Sequence, residues 1–168
     1  MYRVNQFISY FISFFKKLDN KFINLYLNQE ELYYFNKLFK TEKQHSVKVA
    51  KKCLEVFKEF DIQENEVNSV VKMCLLHDVG KGCCKVNLFM KPFIVIISKY
   101  KPYRKLLFFI NKNRIYDYMK HSKYSFNILS KFNYSNEVLN SIKYHHSSRN
   151  VINNKYIKLL KYCDKIAF

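Results

Sequence analysis

The sequence predicts an all-α domain, and three observations carry that expectation. Only two Gly and two Pro occur in 168 residues, too few turn-formers for an architecture of many short strands. Apolar side chains recur at three- and four-residue intervals almost throughout, the spacing of one helix face. Hydrophobic residues make up 49% of the chain, and a domain this long buries roughly 70% of its unfolded surface without needing staples.

The elements follow in order. Phe7, Tyr10, Phe11, Phe14 and Leu18 mark a first helix, and Leu32, Phe35, Leu38 and Phe39 a second. Val47, Ala50, Leu54 and Phe57 predict a third that reaches Phe60, and Val67, Val70, Val71, Cys74 and Leu75 a fourth. Asp61 with Glu64 three residues on reads as a capping box opening the fourth helix. Further helices are expected at 114–131, 135–146 and 154–167. The stretch 86–113 is open. Phe93-Ile94-Val95-Ile96-Ile97 suits a buried strand, while Pro92 at a helix start suits a short helix better. No repeat or linker divides the chain.

Charge is the next feature. Thirty basic against thirteen acidic side chains give +17, which invites nucleic acid or an anionic membrane surface. A compositional bias toward Lys, Asn, Ile, Tyr and Phe explains it better. Only Arg3, Arg104, Arg114 and Arg149 are arginines, and bidentate contacts to phosphate or guanine favour Arg. A weak contact with an anionic membrane surface stays open, and no specific nucleic-acid partner is expected. The five cysteines show no CxxC spacing, so buried thiols in a reducing compartment are expected. No stretch reaches the eighteen or more apolar residues of a membrane span, and no small-residue cleavage site follows the aromatic N-terminus. A cytoplasmic protein is expected.

The rarest residues are the most informative. Both glycines fall in His77-Asp78-Val79-Gly80-Lys81-Gly82, at the predicted end of the fourth helix, where a glycine can serve as a left-handed cap. The other histidines are His45, His121, His145 and His146. If helices three and four turn near Asp61, His45 lies sixteen residues before the turn and His77 sixteen after it. At about 1.5 Å per residue the two return to one height. Asn133-Tyr134-Ser135 does the same for His121 and His145. Two hairpins with histidines at matched heights suit a metal site inside a helical bundle. Asp164, beside Cys163, can add an oxygen ligand, although hairpin arithmetic does not place it.

The order His45, His77-Asp78, His121, His145-His146, Asp164 resembles the HD-domain metal-dependent phosphohydrolase superfamily. The flanking words Glu42-Lys43-Gln44-His45, Leu75-Leu76-His77-Asp78-Val79-Gly80-Lys81 and Lys161-Tyr162-Cys163-Asp164 fit it too. The resemblance covers 40–168, leaving 1–39 as an N-terminal helical extension packed on that domain. It implies a compact helical bundle in which His45, His77, Asp78 and Asp164 bind one metal. His121, His145 and His146 resemble the added ligands of the dinuclear subgroup, with Asp78 bridging. Imidazole and carboxylate donors suit two divalent ions among Fe, Mn, Co, Ni and Zn. Such a pair can acidify a bridging water and direct it at phosphorus.

Catalytic roles are therefore expected for Asp78 and Lys81, and substrate phosphate contacts for Lys81 and Arg149. Asp117 and Glu42 are weaker candidates for orienting ligand rings. Paired histidines also mark the cyclic-di-GMP phosphodiesterase branch, but no Gly-Tyr-Pro follows them here. Ile142-Lys143-Tyr144-His145-His146-Ser147 looks closer to small bacterial hydrolases of dinucleoside tetraphosphates. The expected activity is hydrolysis of a phosphate ester or anhydride of a nucleotide, with specificity expected from 84–117. The alternatives are a nucleotide-binding module without turnover and a basic protein of membrane surfaces or nucleic acid.

Overall fold

A computed structural model describes residues 16–84, 118–147 and 153–167. The expected first helix at 7–18 lies mostly outside these residues, and its last marker, Leu18, stands in the non-helical stretch just before the first described helix. The helix-or-strand question at 86–113, Asp117 and Arg149 lie outside them. The described residues are all-α, with seven α-helices, three short 3-10 segments and no strand. The helices are α1 Asn20–Tyr26, α2 Gln29–Asn36, α3 Lys40–Val56, α4 Val67–Leu76, α5 His121–Leu129, α6 Asn136–Tyr144 and α7 Lys155–Ile166. None is long and apolar enough to cross a membrane.

Side-chain caps decide where most of these helices begin. Asp19 accepts from the Phe22 N–H and opens α1, a seven-residue helix too short to show in apolar periodicity. Asn28 and Glu31 form a reciprocal capping box on α2. Ser135 caps α6 and Asn154 caps α7. Leu38 and Phe39, expected on the second helix, instead link α2 to α3. Leu38 is buried there, and Phe39 is 39% exposed with its N–H on Glu42 Oε2.

The α3–α4 hairpin turns as expected at Asp61, the one non-glycine residue with positive φ (57°) among those described. The capping box expected of Asp61 and Glu64 is made instead by Gln63 and Glu66. Asp61 is spent on reversing the chain and Ile62 is drawn into the core at 3% exposure, so the helical start moves two residues on.

Helix α4 is the central element. Val70, Val71, Met73, Cys74, Leu75 and Leu76 are all fully buried, so beyond its exposed first turn only Lys72 of this helix reaches the surface. It packs on α1, α2, α3, α6 and α7. Ile23, Leu27 and Phe35 of the N-terminal helices join the same core as Val49, Leu129 and Leu160.

Glu66 ties the hairpin turn to α7. Its carboxylate accepts from Lys155 Nζ at 2.6 Å and from the Tyr156 hydroxyl. Those two hydrogen bonds, with the Gln63 N–H, bring its pKa down to about 2 from 4.5. A carboxylate depressed on folding stabilises above its unfolded pKa and loses that contribution as pH falls through the folded value. Glu66→Gln should therefore cost about 1 kcal/mol at neutral pH, the upper range for a partly exposed pair. Urea unfolding of both proteins should show the difference shrinking between about pH 5 and 2. A difference that persists at pH 2 would assign it to packing instead.

Candidate metal centre

The two hairpins bring all five histidines together. The rings of His45 and His77 lie 5.7 Å apart, those of His77 and His145 5.1 Å, and those of His121 and His145 5.8 Å. His146 adds its ring at 4.9 Å from His121. Asp164 of α7, which spacing did not place, meets His45 Nε2 with Oδ1 at 2.8 Å and stands 3.8 Å from His77 Nε2.

Asp78 stands in the middle, buried to 1% exposure. Its Oδ2 faces His77 Nε2 at 3.3 Å, and its Oδ1 faces His121 Nε2 at 3.1 Å and His145 Nε2 at 3.8 Å. Donor atoms of Asp78, His121, His145 and His146 fall within 4.8 Å of one another, and so do those of His45, His77 and Asp78. Asp78 belongs to both groups.

Local backbone chemistry aims the rings. The last carbonyls of a helix lack an intrahelical N–H partner. His77 follows the last turn of α4, and its Nδ1 meets the Cys74 carbonyl at 2.8 Å. His145 repeats this after α6 on the Ile142 carbonyl at 2.6 Å; His121, which begins α5, makes the same three-residue contact with the Tyr118 carbonyl at 2.6 Å. A carbonyl can only accept, so Nδ1 carries the proton and Nε2 of each neutral ring keeps its lone pair. One three-residue step back along the chain therefore caps a carbonyl and points a ligand atom inward.

Electrostatics agree with that geometry. Burial opposes charge on Asp78, yet the neighbouring His77 and the Lys81 ammonium hold its carboxyl well below the usual range. Burial lowers the pKa of His145 and keeps it neutral. For His77 burial is outweighed by the Asp78 and Asp164 carboxylates, which raise it. Asp164 also stays ionised against burial, chiefly through His45. Burial pushes the nearby Cys163 thiol up to about 12, and among the described residues neither ligand group includes a cysteine. Cys53, Cys74 and Cys84 are buried free cysteines as expected, whereas Cys83 is exposed.

The donor set fits a divalent cation. His77 Nε2, Asp78 Oδ1 and His145 Nε2 are buried without a hydrogen-bond partner. Leaving such an atom unmatched costs about 1–3 kcal/mol, and three that converge on one carboxylate are matched by a cation. Imidazole nitrogens with carboxylate oxygens suit first-row transition metals. An HD-domain family model matches residues 43–168. The chain belongs to the HD-domain family. No curated protein and no solved structure matches it significantly. HD domains are in general metal-dependent phosphohydrolases, and the histidines gathered around Asp78 form groups that could hold a metal ion.

Lys81 lies at the site but not free of it. Its ammonium pairs with Asp78 Oδ2, with the Tyr118 ring centroid 5.7 Å away. Burial would discharge it, but Asp78 foremost raises its pKa above the ordinary lysine value. It is a fixed cation rather than a proton carrier. Glu42, considered as an orienting partner for His45, accepts from the Phe39 N–H and caps α3. Neither glycine of the HD turn has positive φ, so neither serves as the left-handed cap that a glycine there could have been. Both are places of close approach instead. Sequence reasoning missed Ser125, which is fully buried and accepts from the Gly80 N–H at 2.9 Å. Its place one helical turn after His121 is the only signal that pointed to it.

Proposed function

We propose that this HD domain hydrolyses a phosphate ester or anhydride bond of a nucleotide, a dinucleoside polyphosphate or related compound, using two divalent ions. The observation that carries this reading is the shared membership of Asp78. One oxygen faces His77 and the other faces His121 and His145, a division suited to bridging two ions. His45, His77, Asp78 and Asp164 would hold one ion, and Asp78, His121, His145 and His146 the other. Bound there, divalent ions supply Lewis acidity and a water whose pKa is brought toward neutral.

The chain's own residues do the rest. Neutral His145 and the Nδ1-pinned rings of His77 and His121 present fixed lone pairs, so little reorganisation is needed. Buried Asp78 and partly buried Asp164 would offset the cationic charge. Lys81 is the side chain placed to hold a phosphate oxygen. Its ammonium sits against the carboxylate at the centre of the site, on a stem long enough to pivot onto a substrate oxygen. The preference for a polyanion follows from this permanent cation and the +17 chain.

A phosphate-release screen over nucleotides with the metallated protein tests the reading, alongside Lys81→Ala. Turnover should stop on chelation. Losing a charged contact of about 1.5–3 kcal/mol should lower kcat/KM roughly 10- to 100-fold. Metal content should stay at the wild-type level, because a cation beside Asp78 opposes metal binding rather than supporting it. Unchanged kinetics would return Lys81 to a structural ion pair. No turnover of any phosphorylated nucleotide by metallated wild type would overturn the enzyme and leave a binding module.

A further inference from the structure

We propose that Gly80 and Ser125 form the joint that holds the α5–α6 half of the centre at ligating distance from Asp78. Occupancy of the second ion position then depends on this pair, and occupancy of the first does not. The inference rests on the two-ion reading above.

The two halves of the centre have different anchors. His45, His77 and Asp164 come from α3, the end of α4, and α7, elements that share the central core. His121, His145 and His146 come from the α5–α6 hairpin. Asp78 opens the 3-10 segment Val79–Cys83, and that segment packs on α5. α6 also packs on α4 and α7, but the distance from Asp78 to His121 is set where the 3-10 segment touches α5.

Gly80 is the point of closest approach. A Cβ there would stand 2.1 Å from the His121 carbonyl oxygen, 2.6 Å from the Ser125 nitrogen and 2.9 Å from Tyr124 Cβ. The first two are backbone atoms, so no rotamer change makes room. Ordinary contact begins at 3.4 Å, so α5 would have to retreat by 3.4 − 2.1 = 1.3 Å. The nearest obstacle belongs to His121 itself, whose Nε2 is 3.1 Å from Asp78 Oδ1. Metal–ligand distances tolerate about 0.2 Å, several times less than that retreat.

Ser125 supplies orientation. Its Oγ accepts from the Gly80 N–H at 2.9 Å, both residues being buried. One bond therefore sets the turn carrying Asp78 against the helix carrying His121. Gly82 plays no part in this contact, because its own close neighbour is Lys37 in the α2–α3 link.

The test is titration of metal-free wild type, Gly80→Ala and Ser125→Ala with Mn2+. Stoichiometry is read by equilibrium dialysis, ion pairing by electron paramagnetic resonance, and folding by circular dichroism. Wild type should take two ions and show an exchange-coupled signal. Gly80→Ala should bind the first with unchanged affinity and the second about 100-fold or more weaker, the upper range for loss of a supporting shell. The coupled signal should give way to that of an isolated ion. Ser125→Ala adds no atoms, so it keeps the test decisive if Gly80→Ala does not fold. It should weaken only the second ion, about tenfold. Two ions at wild-type affinity in Ser125→Ala, or equal weakening of both ions in either folded variant, would overturn the joint. A single ion in wild type would overturn the two-ion reading itself, and the joint with it.

Discussion

Asp78→Ala should bind neither ion tightly and should lower kcat/KM by about ten-thousandfold or more, roughly 5 kcal/mol of transition-state stabilisation. Asp78 is the one carboxylate shared by both ligand groups, and its two oxygens face imidazoles from opposite hairpins. Removing it leaves His121 and His145 with no facing carboxylate and His77 with only Asp164, 3.8 Å away. Asp164→Ala makes the comparison informative. Among the described residues Asp164 bonds to His45 and stands near His77, so its loss should weaken the first ion and spare the second. Metal content measured beside steady-state kinetics separates the two cases. Two tightly held ions in Asp78→Ala would show that the carboxylate does not bridge.

Glu31→Ala should be the costliest polar substitution for stability, at about 3 kcal/mol, the lower end for breaking a buried ion pair. The Glu31 carboxylate is 3% exposed. It accepts from the Asn28 N–H at 2.8 Å, from Lys72 Nζ at 2.9 and 3.0 Å, and from the Tyr134 hydroxyl. Those partners belong to the start of α2, to α4 and to the α5–α6 turn, so one side chain joins three parts of the fold. Lys72 stays 20% exposed and recovers some hydration, which sets the lower end of the range. At about 2–4 °C per kcal/mol for a domain of this size, Tm should fall by roughly 6–12 °C. Glu31→Ala with Lys72→Met should lose less than the sum of the single variants, since no lysine is then left unmatched. Strict additivity in calorimetry would count against the pair as a coupled unit.

Lys72 and Tyr134 lie 41 and 103 residues from Glu31, which is why no reading of spacing joined them. Local signals behaved differently. Asn28 with Glu31, Ser135 and Asn154 are start signals written in adjacent residues, and each lies at a helix start. The Asp61–Glu64 expectation failed because a burial decision intervened. Ile62 had to reach the core, and the left-handed turn at Asp61 delivers it there.

Periodicity and the order of the histidines by themselves determined that the protein is a helical bundle, that its hairpins reverse near Asp61 and Asn133-Tyr134-Ser135, and that His45 meets His77 and His121 meets His145. Helix rise is nearly constant, so residues equidistant from a turn must come back to one height. Only the tertiary structure decided that Asp164 closes on His45, that Lys81 rests on Asp78, and that backbone carbonyls aim three of the imidazoles. It also decided that Gly80 is there for the close approach of α5 rather than for a left-handed cap. These depend on where α7 and α5 dock against α3 and α4. Docking is set by side-chain volume and by matching buried polar atoms across long stretches of chain, and neither leaves a mark in residue spacing.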